Sequence, residues 1–380
     1  MSAVTQVQSF SRQIGKYGAG QAGPLVVAIG GMHGNEPAGA FALQRVIRHL
    51  QATQPPFAGT FLALAGNVQA LKQGVRYIDR DLNRMWLPAR VHSLPPAKTA
   101  EDNEQRELLT QIRAALAQPY TQAIFLDLHT TSSDGAAFAL LSDTLANRRF
   151  ALQLGTPLIL GLEENIEGTI LNYINDLGHA ALGFEAGQHA APASVQNHEA
   201  AVWTMLVAAG CLVPEQVPDL AAQQQTLLRA GRQLPPVFEV RYRHAIQAAD
   251  EFVMLPGFTN FHPVTKNAVV AADRYGDIRV PEAGYLFMPL YQKLGEDGFF
   301  LVHEVKPFWL RVSAWLRYWR ADRLLHWLPG VRYLPGDKNS LVINTRIARW
   351  FVIEICHLLG FRKHAQQGQQ LIISRREPLA

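Results

Sequence analysis

Apolar and polar positions follow two different rhythms along the first half of this chain. Short continuous apolar runs at 25–29, 60–65, 123–128, 136–141 and 180–185 predict buried strands. Segments 36–51, 102–117, 144–154, 169–177 and 194–209 instead space their apolar residues as a helix does. Alternation of the two predicts an α/β fold over residues 1–213, a mostly parallel sheet flanked by helices. In such a sheet, ligands bind beyond the carboxyl ends of the strands. The rhythm breaks at Val213-Pro-Glu-Gln-Val-Pro218 and again at Gln233-Leu-Pro-Pro236. Strand signals at 238–244, 252–255, 261–264, 277–280, 285–289 and 298–303 then predict a smaller β domain over 237–305. Beyond it, Trp309, Trp315, Trp319 and Trp327 stand among arginines, and a second helical run falls at 344–359. Residues 306–380 are thus expected to form a helical tail. Val312, Trp315, Leu316 and Trp319 have the spacing of a core-facing stripe. An oligomer interface is the next reading of that stripe, and a membrane-surface or nucleic-acid contact the last.

Composition narrows the class. With 48% hydrophobic and 17% charged residues among 380, the chain reads as an ordinary folded protein. A net charge of +4 over that length is weak support for nucleic acid, and no nucleic-acid partner is expected. Cys211 and Cys356 alone exclude a disulfide framework and a cysteine metal cluster. Residues 1–21 are polar and lack the apolar core of a signal peptide, and no apolar run approaches the ~18 residues of a membrane span. A cytoplasmic enzyme without a membrane partner is the expectation.

The candidate chemistry lies at strand ends. Gly30-Gly31-Met32-His33-Gly34-Asn35-Glu36 follows the first apolar run, so its glycines break the strand and turn a histidine and a carboxylate toward one point. Asp127-Leu-His129-Thr-Thr ends another apolar run and offers a second imidazole. His33, Glu36 and His129, with one position left for water, make the usual ligand set of a hydrolytic zinc centre. Asp127 shares a strand face with His129 and either orients that imidazole or makes a buried structural hydrogen bond. The run Arg76-Tyr-Ile-Asp79-Arg-Asp81-Leu-Asn83-Arg84 is either a charged surface segment or part of a site. In a site, Asn83 and Arg84 would grip a carboxylate and Arg76 would stabilise an oxyanion. Glu185, in Gly183-Phe-Glu185-Ala-Gly, reads as a general base with a pKa raised by burial, or else as a helix-capping acid.

These four strings together resemble the succinylglutamate desuccinylase/aspartoacylase family. The resemblance covers about the first half of the chain and implies a zinc carboxypeptidase-like fold and hydrolysis of N-acylated amino acids. It implies one zinc ion per chain on His33, Glu36 and His129, with Glu185 as base. It further implies that Arg76 polarises the scissile carbonyl and that Asn83 and Arg84 take the substrate α-carboxylate. The β-rich segment 237–305 would narrow the mouth of the site. The chain also departs from the family. Where aspartoacylase holds its acyl carboxylate with an arginine and a tyrosine, this sequence has Asn175 and Leu171, with Tyr173 displaced. That argues against N-acetylaspartate or succinylglutamate and for a neutral acyl group or another amino acid. His189, four residues after Glu185, is a further candidate for the pocket wall. The expected activity is a zinc-dependent amidohydrolase acting on a small N-acyl amino acid. A carboxypeptidase trimming peptides is the nearest rival, and a non-catalytic binding protein on the same fold the more distant one.

Overall fold

The computed structural model describes residues 10–18, 23–292, 294–348, 352–367 and 369–375. The strands of its first half are β1 (Gln13–Tyr17), β2 (Leu25–Gly30), β3 (Thr60–Ala65), β4 (Ala123–Thr131), β5 (Phe138–Leu141), β6 (Leu158–Leu160) and β7 (Ala180–Gln188). Helices α1 (Ala38–Thr53), α2 (Val68–Gln73), α3 (Pro88–His92), α4 (Ala100–Leu116), α5 (Leu145–Ala151) and α6 (Ile170–Asp176) connect them. Helices α7 (Pro192–Ala209) and α8 (Leu220–Ala230) follow. All five runs expected as strands in this half are strands. β1 and β6 escaped detection because one is half exposed and the other only three residues long.

Alternate residues of each central strand serve two cores, as the period of an extended chain requires. Val26, Ala28, Ile124, Leu126 and Leu128 pack with Leu43, Val46 and Leu50 of α1 and Trp203 and Leu206 of α7. Leu25, Val27, Ile29 and Phe125 face the other way, onto Leu108, Leu109 and Ile112 of α4 and Ile170 and Ile174 of α6. Burial on both faces explains why these strands read as continuous apolar runs. A capping box fixes where α4 begins: Thr99 Oγ1 accepts from Asp102 N–H while the Asp102 carboxylate accepts from Thr99 N–H at 2.9 Å.

The later strands are β8 (Val237–Ala245), β9 (Val253–Met254), β10 (His262–Val264), β11 (Val269–Asp273), β12 (Gly276–Arg279), β13 (Gly284–Phe287) and β14 (Asp297–Glu304). The large sheet has 11 strands in the order β1-β3-β2-β4-β7-β5-β6-β8-β14-β13-β10. Pairs β3/β2, β2/β4, β4/β7, β5/β6 and β6/β8 are parallel, and the rest are antiparallel. Segment 237–305 therefore hydrogen-bonds into the main sheet through Leu158↔Val237, while β12-β11-β9 form a separate three-stranded sheet. From β2 the chain reaches β3 on one flank and then β4 on the other. This reversal opens a crevice at the carboxyl ends of β2 and β4.

The expectation of a helical tail over 306–380 is corrected. Among the described residues there, only α9 (Pro307–Tyr318) and α10 (Val352–Leu358) are α-helical. β15 (Val331–Leu334), β16 (Asp337–Asn344), β17 (Phe361–Gln367) and β18 (Gln370–Arg375) form a four-stranded antiparallel sheet in the order β15-β16-β18-β17. Pro335-Gly336, with Gly336 at φ +83°, turns β15 into β16. Leu341-Val-Ile343 and Leu371-Ile-Ile373, outside the run at 344–359, supply β-branched residues to the sheet. The run expected to be helical at 344–359 is helical only from Val352, and its residues 349–351 lie outside the described residues. The expected core-facing stripe is corrected too: Leu316 packs inward, but Trp315 and Trp319 are exposed. The inner face of α9 carries Ser313 and Arg317 instead.

Arg317 points inward because Asp143 awaits it. That buried carboxylate accepts from Arg148 Nε at 2.5 Å, Arg317 Nη2 at 2.8 Å and Arg362 Nη2 at 2.9 Å. Burial pushes its pKa up, but the three guanidinium groups outweigh this and hold it well below the usual range. Arg362 also donates to Glu239 at 2.8 Å, so α9 and β17 are tied to α5 and β8 by charge. Replacing Asp143 by Ala leaves buried guanidinium groups without this partner. The expected loss is about 3–5 kcal/mol, read from the midpoint of urea unfolding. Among the described residues, no helix is long and apolar enough to cross a membrane.

Candidate metal centre and active site

β2 ends at Gly30, and the chain turns at Gly31, whose φ of +75° suits a residue without a side chain. A Cβ on Gly30 would stand 2.4 Å from the Ala40 nitrogen, so only glycine lets α1 begin this close to the strand end. Glu36 N–H donates to His33 O at 3.1 Å and closes the loop. Both side chains are buried over the crevice. On β4, Asp127 and His129 share one face. The ladder to β7 sets His129 beside Glu185 and Asp127 beside Gly183.

The three expected ligands meet. Glu36 Oε1 lies 2.9 Å from His33 Nδ1, and Oε2 lies 3.0 Å from His129 Nδ1. The donor atoms all fall within 4.8 Å of one another. The outer nitrogen of each ring faces a further carboxylate: His33 Nε2 is 3.1 Å from Asp81 Oδ1, and His129 Nε2 is 2.8 Å from Asp127 Oδ2. Such partners hold the Nε2–H tautomer and leave both Nδ1 lone pairs aimed inward. Thr130 N–H donates to Glu36 Oε2 at 3.0 Å and steadies the carboxylate. Two nitrogens, one carboxylate oxygen and two orienting acids suit a divalent ion of the zinc type.

Charge balance within the cluster is tight. Burial pushes the Glu36 carboxyl up, but His33 and His129 outweigh it and hold it well below the usual range. For His129, burial opposes charge, yet Asp127 and Glu36 hold the imidazole well above its ordinary value. Asp81 is kept low against its burial by His33 and then Arg76. Glu185 behaves differently. Burial pushes it up to about 8, with Glu36 and Asp127 adding to the shift against His129 and Arg76. Its Oε2 is buried without a hydrogen-bond partner.

Arg76 Nη2 donates to Asp81 Oδ2 at 2.9 Å, and its Nη1 stands 3.6 Å from Glu36 Oε1. Asn83 is buried at the rim of the cluster, its Nδ2 3.4 Å from Asp127 Oδ2 and its Oδ1 accepting from Ile170 N–H at 2.9 Å. Arg84 turns away from the cluster, 3.7 Å from Asp297 and 3.8 Å from Glu296. His189 lines the cavity and pairs through Nδ1 with Thr130 Oγ1 at 2.7 Å. Sequence reasoning missed Asp81. Nothing in its spacing separates it from Asp79, which instead accepts from Ala100 N–H at 2.7 Å. It also missed Glu101, a buried carboxylate on α4 that accepts from the backbone N–H groups of Ile78, Asp79 and Arg80 and so fixes the loop between Arg76 and Asp81.

A cavity of about 1150 Å³ opens over these residues. Its roof comes from the segment between β13 and β14. There Gln292 Oε1 accepts from Asn35 Nδ2 at 3.1 Å, and Tyr291 N–H donates to Ser132 Oγ at 3.2 Å.

A family model described as the succinylglutamate desuccinylase/aspartoacylase catalytic domain matches residues 22–208. The succinylglutamate desuccinylase of Burkholderia cenocepacia is 35% identical over 128 residues, which cover 33% of this chain and 36% of that protein. The chain thus spans about a third of the length of such curated relatives. A succinylglutamate desuccinylase/aspartoacylase structure from Rhodobacter sphaeroides is similar with a TM-score of 0.55 at 17% identity, covering 75% of this chain and 86% of that one. Murine aminoacylase 3 is similar with a TM-score of 0.51 at 18% identity, covering 75% and 96%. At such identities the two structures speak for the fold alone. Through residues 22–208, the chain belongs to the succinylglutamate desuccinylase/aspartoacylase family.

Proposed function

We propose that this protein is a zinc-dependent amidohydrolase that cleaves the amide of a small N-acyl amino acid, on a zinc carboxypeptidase-like fold. One observation carries the reading: His33, Glu36 and His129 converge, with the unpartnered carboxylate of Glu185 in register beside them. One ion per chain would be held by those three residues, with Asp81 and Asp127 orienting the imidazoles. When bound, it supplies Lewis acidity to water and to the scissile carbonyl. Glu185 takes the proton of the attacking water at its free oxygen and passes it to the departing nitrogen. Arg76 presents N–H donors where charge develops on the carbonyl oxygen. Asn83 offers an amide at the cavity rim, and Arg84, which donates to Asn83 O at 3.0 Å, makes only longer ion pairs with Glu296 and Asp297. The pair is thus available to a substrate α-carboxylate.

The acyl side of the cavity supports an uncharged group. Gly183 lies two residues before Glu185 on the same face of β7, paired with Leu140. Leu171 Cδ1 and Leu140 Cβ stand 3.1 and 3.2 Å from where a Gly183 Cβ would be, which makes an apolar floor. Asn175 is consumed by structure, donating to Ser142 Oγ at 3.2 Å and Leu171 O at 2.9 Å and accepting from Asn147 at 2.9 Å. Of the arginines that line the cavity, Arg84 is assigned to the α-carboxylate, and Arg76, Arg80 and Arg243 each already face a carboxylate. A second negative charge on the acyl chain would enter without a free counter-charge, which costs about 1–3 kcal/mol. Assay of the zinc-loaded protein against N-acetyl, N-butyryl and N-succinyl amino acids is therefore expected to favour uncharged acyl groups. A preference of about tenfold or more in kcat/KM is expected, with turnover lost on chelation and restored by zinc. A preference for N-succinyl substrates would overturn the acyl assignment. Turnover of peptides alone would favour the carboxypeptidase reading, against which the roof over the cavity weighs.

A further inference from the structure

The side of α9 that faces away from the protein is aromatic. Phe308, Val312, Trp315 and Trp319 recur at spacings of four, three and four, which sets them along one side of a helix. Such a stripe ordinarily seeks the core, yet here Trp315 is 62% and Trp319 65% exposed. Trp309 and Tyr318 flank the stripe, and Trp327, at the end of the next helical segment, Ala321–Trp327, is 74% exposed. Trp86 and Trp203, by contrast, are 1% and 3% exposed. An aromatic surface this concentrated marks a docking face.

Its charges are of one sign. From 306 to 336 the chain carries Lys306, Arg311, Arg317, Arg320, Arg323 and Arg332 against one acid, Asp322. Asp322 is buried and lies 2.8 Å from Arg375, so it offers no negative charge at the surface. Lys306, Arg311 and Arg323 are exposed. A second copy docked by a two-fold axis would set these cations against their own images. A single-stranded nucleic acid is gripped in a basic groove that tracks its backbone, whereas this face is the convex side of a helix. A bilayer surface of negative charge suits both features. Trp and Tyr settle at the headgroup level with their polar edges wet, and Lys and Arg extend to the phosphates.

We propose that the outer face of α9 docks on an anionic phospholipid bilayer, with Phe308, Trp315, Trp319 and Trp327 seated among the headgroups and Lys306, Arg311 and Arg323 on lipid phosphates. The proposal is independent of the hydrolytic reading and departs from the expectation that no membrane is involved. The protein lies on the surface by this face and does not span it.

The test is cosedimentation of the full chain with vesicles of phosphatidylcholine containing phosphatidylglycerol, beside vesicles of phosphatidylcholine alone. Binding to the anionic vesicles is expected, weakened by salt and accompanied by a blue shift of tryptophan emission. The double variant Trp315→Ala, Trp319→Ala is expected to bind about tenfold more weakly or worse, with an unchanged thermal melt because both side chains are exposed. Full retention of binding in that variant would overturn the proposal, as would no partition onto anionic vesicles. A dimer abolished by the same substitutions would assign the face to a second copy instead. Oligonucleotide binding abolished by them, without vesicle binding, would assign it to nucleic acid.

Discussion

Protein carrying His129→Ala is expected to purify without stoichiometric zinc and without measurable amidase turnover. His129 supplies one of the three donors that meet within 4.8 Å, and among the described residues no histidine besides His33 and His129 joins that group. Losing it leaves His33 and Glu36, three residues apart on one loop, as a two-donor site. Structural and catalytic zinc sites need three or four protein ligands to hold the ion. The Asp127 carboxylate, 2.8 Å from His129 Nε2 in the intact protein, would also lose its imidazole partner. Metal analysis of the dialysed variant checks the expectation, and full zinc occupancy would remove His129 from the ligand set. Zinc should raise the melting temperature of the parent protein and not that of the variant, because only a folded, intact site binds it.

Glu185→Gln separates chemistry from metal binding. The amide keeps the size of the carboxylate but cannot take a proton from water, so kcat is expected to fall by about 10²–10⁴ while zinc content stays at the parent level. In the metal-free chain, burial pushes Glu185 up to about 8, which leaves it protonated at neutral pH. A divalent cation beside it favours the ionised form, so the acid limb of kcat/KM in the loaded enzyme is expected below 8 and absent from the variant. The same residue affects the stability of the stripped protein. A folded-state value above the unfolded one of 4.5 means that its contribution is intact below pH 4.5 and is lost as pH rises through 8. Glu185→Gln should flatten that part of the unfolding profile. Parent-like turnover in the variant would remove Glu185 from the role of base.

Much of this arrangement was legible before any coordinates. β2, β4 and β7 are buried on both faces, so each stands out as an unbroken apolar run, and the residues just after such runs lie where an α/β sheet binds ligands. That logic brought His33, Glu36, His129 and Glu185 to one place. It could not separate Asp81 from Asp79, because both sit in an irregular loop where no period predicts which side chain turns inward. It also failed on the tail. Trp315 and Trp319 fall on a helical stripe, and periodicity alone does not say whether a stripe faces core or solvent. The deciding fact was Arg317, drawn inward by Asp143, a residue 174 positions earlier in the chain.

That ion cluster also limits how far the protein can be dissected. A version ending near residue 305 would retain every side chain assigned to chemistry here. It would lose Arg317 and Arg362, and Asp143 would keep only Arg148 among its three guanidinium partners. Residues up to 305 thus depend on the tail for two of the three partners of Asp143. Chimeras that exchange this end between relatives will need to carry the matching residue at position 143 with it.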